Sequence, residues 1–276
     1  MKFVITGGAG FIGSRLAETL IRQDHTVAVI DTAADPKPNS HPRVEYHVKD
    51  ILDESVKGVF SGADGVFHLA AFSKTSSCIE QPETAEDINI GGTLNILRAV
   101  TKRLVFASSA SVYFKNRKLP FREDDRIDGF ITPYAFTKYV GEILCRQFSS
   151  LNGIETVSLR LFNVYGSVKA VEGVSPCPSV VEIFLNQKRE GKPLSIVGDG
   201  SQRRDLVYVD DVVRALVATM LSPRAWRGEV INIGSGRNYS VEYLAFLVGS
   251  NIVRIKERYL EPQETLADIT RAEEWL

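Results

Sequence analysis

Ser109, Tyr134 and Lys138 are the residues whose types and spacing point most directly to chemistry. A tyrosine and a lysine at i and i+4 lie on one face of a helix. The ammonium then draws the phenol down from its usual value of about 10 toward working pH, which makes tyrosinate a usable general base. Pro133, directly before Tyr134, suits the first turn of such a helix. Ser109 follows Arg103–Ala107, which reads as a strand. Its hydroxyl therefore stands at the carboxyl edge of a sheet, positioned to hold the reacting oxygen of a substrate.

A second constellation is Gly7-Gly8-Ala9-Gly10-Phe11-Ile12-Gly13, between a first strand and a first helix. Side chains at Gly7, Gly10 or Gly13 would obstruct the tight turn, the approach of a pyrophosphate to backbone N–H groups, or the packing of helix on strand. Phe11 and Ile12 then open the helix whose amino terminus faces the phosphates. Asp31 closes the second strand about twenty residues on, where a carboxylate accepts hydrogen bonds from ribose hydroxyls. No arginine follows in Asp31-Thr32-Ala33 to hold a 2′-phosphate, so the pattern favours NAD over NADP.

The elements that must position these groups are legible as an alternation. Strands are predicted at Lys2–Thr6, Thr26–Ile30, Val44–His47, Gly65–Leu69, Arg103–Ala107, Thr156–Leu161 and Glu229–Ile233. Between them, Gly13–Gln23 and Glu83–Val100 carry apolar residues at helical spacing. Ala33–Pro42 and Arg117–Pro133 read as loops. Such an order implies the α/β class, a doubly wound parallel sheet with helices on both faces.

Composition narrows the function classes. A chain of 276 residues with 44% apolar and 24% charged residues builds a packed core without disulfides or metal. With 33 basic against 34 acidic residues there is no chain-wide positive field for nucleic acid or an anionic membrane. No apolar stretch approaches the roughly 20 residues of a spanning helix. Cys78, Cys145 and Cys177 have neither metal-ligand nor paired-disulfide spacing, which points to a reducing cytoplasm.

Taken together, these residues resemble the extended short-chain dehydrogenase/reductase group, and within it the NAD-dependent sugar-nucleotide epimerase/dehydratase enzymes of the UDP-galactose 4-epimerase type. The resemblance also rests on Lys49-Asp50-Ile51, His68-Leu69-Ala70-Ala71, Asn89-Ile90-Gly91-Gly92-Thr93, Leu159-Arg160-Leu161-Phe162-Asn163-Val164-Tyr165-Gly166, Gly198-Asp199-Gly200-Ser201-Gln202-Arg203-Arg204-Asp205 and Leu266-Ala267-Asp268-Ile269. It implies a Rossmann fold in which Asp50 and Ile51 contact the adenine of NAD, Ala70 and Ala71 line the cofactor cleft, and Asn89 approaches the cofactor. It further implies that Tyr134 and Lys138 touch the cofactor, and that Ser109 and Tyr134 touch the substrate. Asn163 would hold the diphosphate of a sugar nucleotide, with Arg204 and Arg258 paired to its phosphates through bidentate contacts. His68 is given no chemical role.

Within the resembling family, reactions differ in the strip after the serine. Dehydratases carry an Asp-Glu pair there and decarboxylases keep a glutamate, whereas this chain has Ala110 and Ser111. Elimination of water or carbon dioxide therefore lacks its acid/base partner, and the resemblance implies a 4-epimerase acting on a UDP-sugar through a 4-keto intermediate. A reductase or dehydratase on the same fold, and a non-catalytic NAD-binding scaffold, are the competing readings. Departures from the family pattern are Phe114 in place of glycine, Gln263 in place of a second arginine, and an end at Leu276 where relatives usually continue. The architecture implied is an NAD-binding domain over 1–165 with a return through about 206–234, and a substrate domain from 166–205 and 235–276. A homodimer through the helix near Glu83–Val100 and the Tyr134 helix is the family default.

Overall fold

Seven strands form one wholly parallel sheet in the order β10-β6-β5-β4-β1-β2-β3. They are β1 (Lys2–Thr6), β2 (Thr26–Asp31), β3 (Val44–Val48), β4 (Gly65–His68), β5 (Arg103–Ser109), β6 (Glu155–Leu161) and β10 (Arg227–Ile233), each overlapping a strand expected from the sequence. The computed structural model describes residues 1–34, 41–116, 118–166, 179–256 and 262–276. The chain order reverses between β1 and β4, which opens a crevice at their carboxyl ends.

Period-two alternation along the strands divides the core. Phe3 and Ile5 of β1 face a layer with α1 (Phe11–Arg22), and Val4 faces the opposite layer. That second layer holds α2 (Thr75–Glu80), α3 (Pro82–Glu86), α4 (Thr93–Leu97) and α5 (Pro133–Asn152). The first layer is completed by α7 (Val209–Leu221), through Val212 and Leu216. Arg103 fixes the end of α7, donating to the carbonyls of Met220 and Ser222 at 2.7 Å each.

A smaller layer lies over the carboxyl edge. It contains β7 (Asn163–Tyr165), α6 (Val180–Arg189), β8 (Leu194–Val197), β9 (Arg203–Tyr208), β11 (Asn238–Ser240), α8 (Val241–Val248) and β12 (Ile252–Ile255). Here β11-β9-β7 form one sheet and β12-β8 another, around a core of Phe184, Ile196, Leu206 and Leu244. The last helix, α9 (Thr270–Trp275), returns to β10.

One expectation gains detail. The periodicity of Glu83–Val100 predicts a helix, and the chain is helical without a break over 82–97, passing from α3 through a π-helical turn, Asp87–Gly92, into α4. Thr93 donates its hydroxyl to the Asn89 carbonyl at 2.6 Å, a bond that competes with the regular ladder. Gly92 presses on Ile51, where a Cβ would come within 2.4 Å of Cδ1. Of the two expected loops, 118–132 contains no helix or strand, while 35–40 fall outside the described residues.

Candidate active site

The glycine turn sits at the reversal point of the sheet. Gly7 has φ +74, and a Cβ there would lie 2.7 Å from the Ala70 backbone nitrogen across the crevice. A Cβ on Gly13 would fall 2.2 Å from the Gly7 carbonyl, so α1 can follow the turn this closely only with glycine there. Gly10 caps α1 in an extended conformation with no side-chain hydrogen bond, and Phe11 and Ile12 form the first turn. The opening N–H groups are thereby left to an anion. Asp31 joins this cradle from β2: its carboxylate accepts from Ala9 N at 2.9 Å and Ala33 N at 3.0 Å, with further lone pairs for a diol. The cradle fits the diphosphate and ribose of NAD.

Across the crevice, Ser109 ends β5 and caps the 3₁₀ turn Ala110–Tyr113, accepting from Ser111 N at 3.2 Å. Thr132 caps α5, with its hydroxyl accepting from Ala135 N, so Pro133 and Tyr134 occupy the first turn. The helix packs on both β5 and the 3₁₀ turn, which brings Tyr134 and Lys138 to the strand end that carries Ser109. Lys138 is 3% exposed and donates to the Ala107 carbonyl at 2.8 Å. Its Nζ lies 5.9 Å from the Tyr134 ring centre, so the two side chains share the strand end. Burial lowers Lys138 from 10.5 to about 8, so the ammonium is charged at neutral pH but is held at a desolvation cost.

The remaining expected residues divide by position. Asp50 is exposed beyond β3 and accepts from Leu52 N at 2.9 Å, while Ile51 is buried beside it. Ala70 and Ala71 follow β4 in the crevice, half-buried. Asn89 is 3% exposed, and its amide is engaged within the protein: Oδ1 accepts from Phe72 N, and Nδ2 donates to Phe72 O and Thr137 Oγ1. It ties the loop after β4 to α5. Asn163 and Arg204 are brought together on the adjacent strands β7 and β9, Asn163 exposed and Arg204 buried. Arg258 lies outside the described residues.

His68 is a neutral brace. Burial pulls it down to about 3, and its ring spans Thr6 Oγ1 at 2.6 Å and Thr93 Oγ1 at 2.9 Å. Because Thr93 already donates to Asn89 O, Nε2 must be the protonated nitrogen. Sequence reasoning missed two supporting groups. Asp205 is fully buried and accepts from Ser235 N, Ser235 Oγ, Gly236 N and Ala267 N, anchoring β9 to the loop after β10 and to the segment around Ala267. Glu142 and Arg160 form a buried ion pair behind Ser109. The available signal was a charge at every fourth position of α5 and an arginine inside an apolar strand.

Comparison with known proteins places this geometry. A sequence model of the NAD-dependent epimerase/dehydratase family matches residues 3–234. A putative UDP-glucose 4-epimerase of Methanocaldococcus jannaschii is 36% identical, with 95% of this chain and 86% of that one covered. The UDP-N-acetyl-alpha-D-glucosaminuronate decarboxylase of Bacillus cytotoxicus is also 36% identical, over 88% of this chain and 78% of its own. The crystal structure of the UDP-glucuronic acid 4-epimerase of Bacillus cereus, in complex with UDP-glucuronic acid and NAD, superposes with a TM-score of 0.86 at 30% identity, covering 100% of this chain and 93% of that one.

Proposed function

The chain belongs to the NAD-dependent epimerase/dehydratase family, and from that premise we propose that it is a nucleotide-sugar 4-epimerase of the UDP-glucose/UDP-galactose type. The observation that carries this reading is the strip after Ser109. Ala110 and Ser111 offer no carboxylate, and Glu142, on the same helix as Tyr134, is closed off by Arg160 and Ser108. Elimination and decarboxylation lack their acid/base group, although a decarboxylase is among the relatives. The complete set of Ser109, Tyr134 and Lys138 argues against a non-catalytic scaffold.

NAD, held by the glycine turn and Asp31, would supply reversible hydride-acceptor chemistry at C4 of the sugar. Tyr134, as tyrosinate stabilised by Lys138, takes the proton from the 4-hydroxyl, and Ser109 Oγ holds that oxygen. A bound 4-keto sugar results. After the ketose turns over, Tyr134 returns the proton to that oxygen, and no redox equivalent is consumed provided the hydride goes back to C4. Asp31 takes the adenosine ribose, and Asp50 and Ile51 flank the adenine. Ala70, Ala71 and Asn89 shape the cleft wall, while the resemblance assigns Asn163, Arg204 and Arg258 to the sugar-nucleotide diphosphate. In this reading residues 1–165 with 206–234 bind NAD, and 166–205 with 235–276 bind the sugar.

Two further properties belong to the proposal. Phe136 and Ile143, two helical turns apart on α5, are 38% and 45% exposed, which supports a homodimer through α5 and the helical segment 83–100. Buried cysteines in the reduced state at 78 and 145 support a cytoplasmic protein, and among the described residues no helix is long and apolar enough to cross a membrane. The deciding experiment uses UDP-glucose and UDP-glucuronic acid deuterated at C4. The epimer should keep its label at C4 without consuming added nicotinamide. Label at C6 or in the cofactor pool would overturn the epimerase reading.

A further inference from the structure

Tyr134, Lys138 and Glu142 recur every four residues, so they share one stripe of α5. Lys138 binds the carbonyl of Ala107 at 2.8 Å, and Glu142 Oε1 accepts from the hydroxyl of Ser108 at 2.5 Å. Successive turns of the helix therefore grip successive residues of β5, and the next residue is Ser109. Glu142 is in turn clasped by Arg160 of β6, Nε to Oε1 at 2.9 Å and Nη2 to Oε2 at 2.7 Å, with both side chains 4% exposed or less. From the far side, Arg160 Nη1 donates to the Tyr113 hydroxyl at 2.6 Å, and Tyr113 donates to Asn232 Oδ1 at 2.8 Å. Tyr113 ends the 3₁₀ turn that Ser109 caps. Both flanks of Ser109 are thus tied to one carboxylate–guanidinium pair.

A buried pair of this kind is weak evidence for stability, because apolar residues of equal volume often serve as well. What apolar packing would not supply is the directional link to Ser108 and Tyr113. We infer that Glu142 and Arg160 are positioning residues: the pair sets how α5 seats against the end of β5, and so fixes the reach from Tyr134 and Lys138 to the oxygen held by Ser109. The inference rests on Tyr134 being the proton carrier. It extends the working site to a second layer of side chains that touch neither cofactor nor sugar. Displacement of reacting groups by about 1 Å can cost on the order of 100-fold in rate, so a small loss of seating is readable in turnover.

Ser108→Ala tests the device with least disturbance, since Glu142 keeps both bonds to Arg160. Glu142→Gln keeps the shape but turns an amide toward the guanidinium donors. In the NAD-bound protein, kcat should fall about tenfold in the first and on the order of 100-fold in the second, with KM and the NAD Kd within about threefold. Ser108→Thr should restore most of the loss. Ionisation of Tyr134, read as the tyrosinate absorbance that Tyr134→Phe removes, should move upward in both variants because Lys138 no longer sits at its proper distance. Folded, NAD-binding variants with unchanged kcat and unchanged Tyr134 ionisation would overturn the inference. The ionisation is read without any sugar, so a wild-type protein inert toward every UDP-sugar would count against the epimerase reading and leave this test intact.

Discussion

Lys138 combines a charge, near-complete burial and a single observed hydrogen-bond acceptor. Its folded-state value of about 8 lies below the 10.5 of an exposed lysine, so between those values the unfolded chain binds more protons than the native one. Stability of the NAD-free protein should therefore rise with pH across that window, by up to about 3 kcal/mol, and be penalised in full below it. Lys138→Met should flatten that slope, which melting curves recorded from pH 7 to about 10.5 would show. Asp31 makes a different claim. Because its carboxylate is already oriented by Ala9 N and Ala33 N, Asp31→Ala removes a prepared acceptor, and NAD should bind about 1–3 kcal/mol more weakly by calorimetry. Tighter binding of NADP than NAD by the wild type would contradict that role. Single residues with short-range motifs were the readable ones. Glu142 and Arg160 were not, because a charge on a helix ordinarily reads as solvated and nothing local says that its partner lies on β6.

The joint between α5 and β5 depends on a residue with no side chain. A Cβ on Gly141 would stand 2.4 Å from Cζ of Phe106, a ring buried to 1% exposure. Alanine is favoured over glycine in a helix by about 1 kcal/mol, whereas overpacking a core costs roughly 1–3 kcal/mol. Overpacking should win, so Gly141→Ala should lower both the melting temperature and turnover, as calorimetry and steady-state rates would report. The sequence exposed the seven strands of the central sheet because buried parallel strands are nearly continuous apolar runs. It did not expose β7, β8, β9, β11 and β12, which are three to six residues long and take their partners from distant segments. The π turn at Asp87–Gly92 was equally hidden, since it goes with a close approach of Gly92 to Ile51, a residue about forty positions away in the chain.

For the molecule as a whole, α5 works on two sides. Its inner stripe carries Tyr134, Lys138 and Glu142, and its outer face presents Phe136 and Ile143. If two copies pair there, Ile143→Arg should yield a monomer in sedimentation velocity while NAD binding persists, because the substituted side chain points away from the site. A dimer that survives the substitution would place the contact elsewhere.

The edge position of β10 bears on how the molecule comes into being. Its sheet neighbour is β6, yet the segments of the small layer are synthesised between the two. Asn232, which receives the Tyr113 hydroxyl and donates to Phe121 O, is delivered only with that strand. Until β10 docks, β6 presents an open edge and Tyr113 lacks this acceptor, and the pairing that closes the sheet is a long-range contact of the kind that slows folding. Docking of β10 also completes the bracing behind Ser109, so the site is whole only once the central sheet is closed.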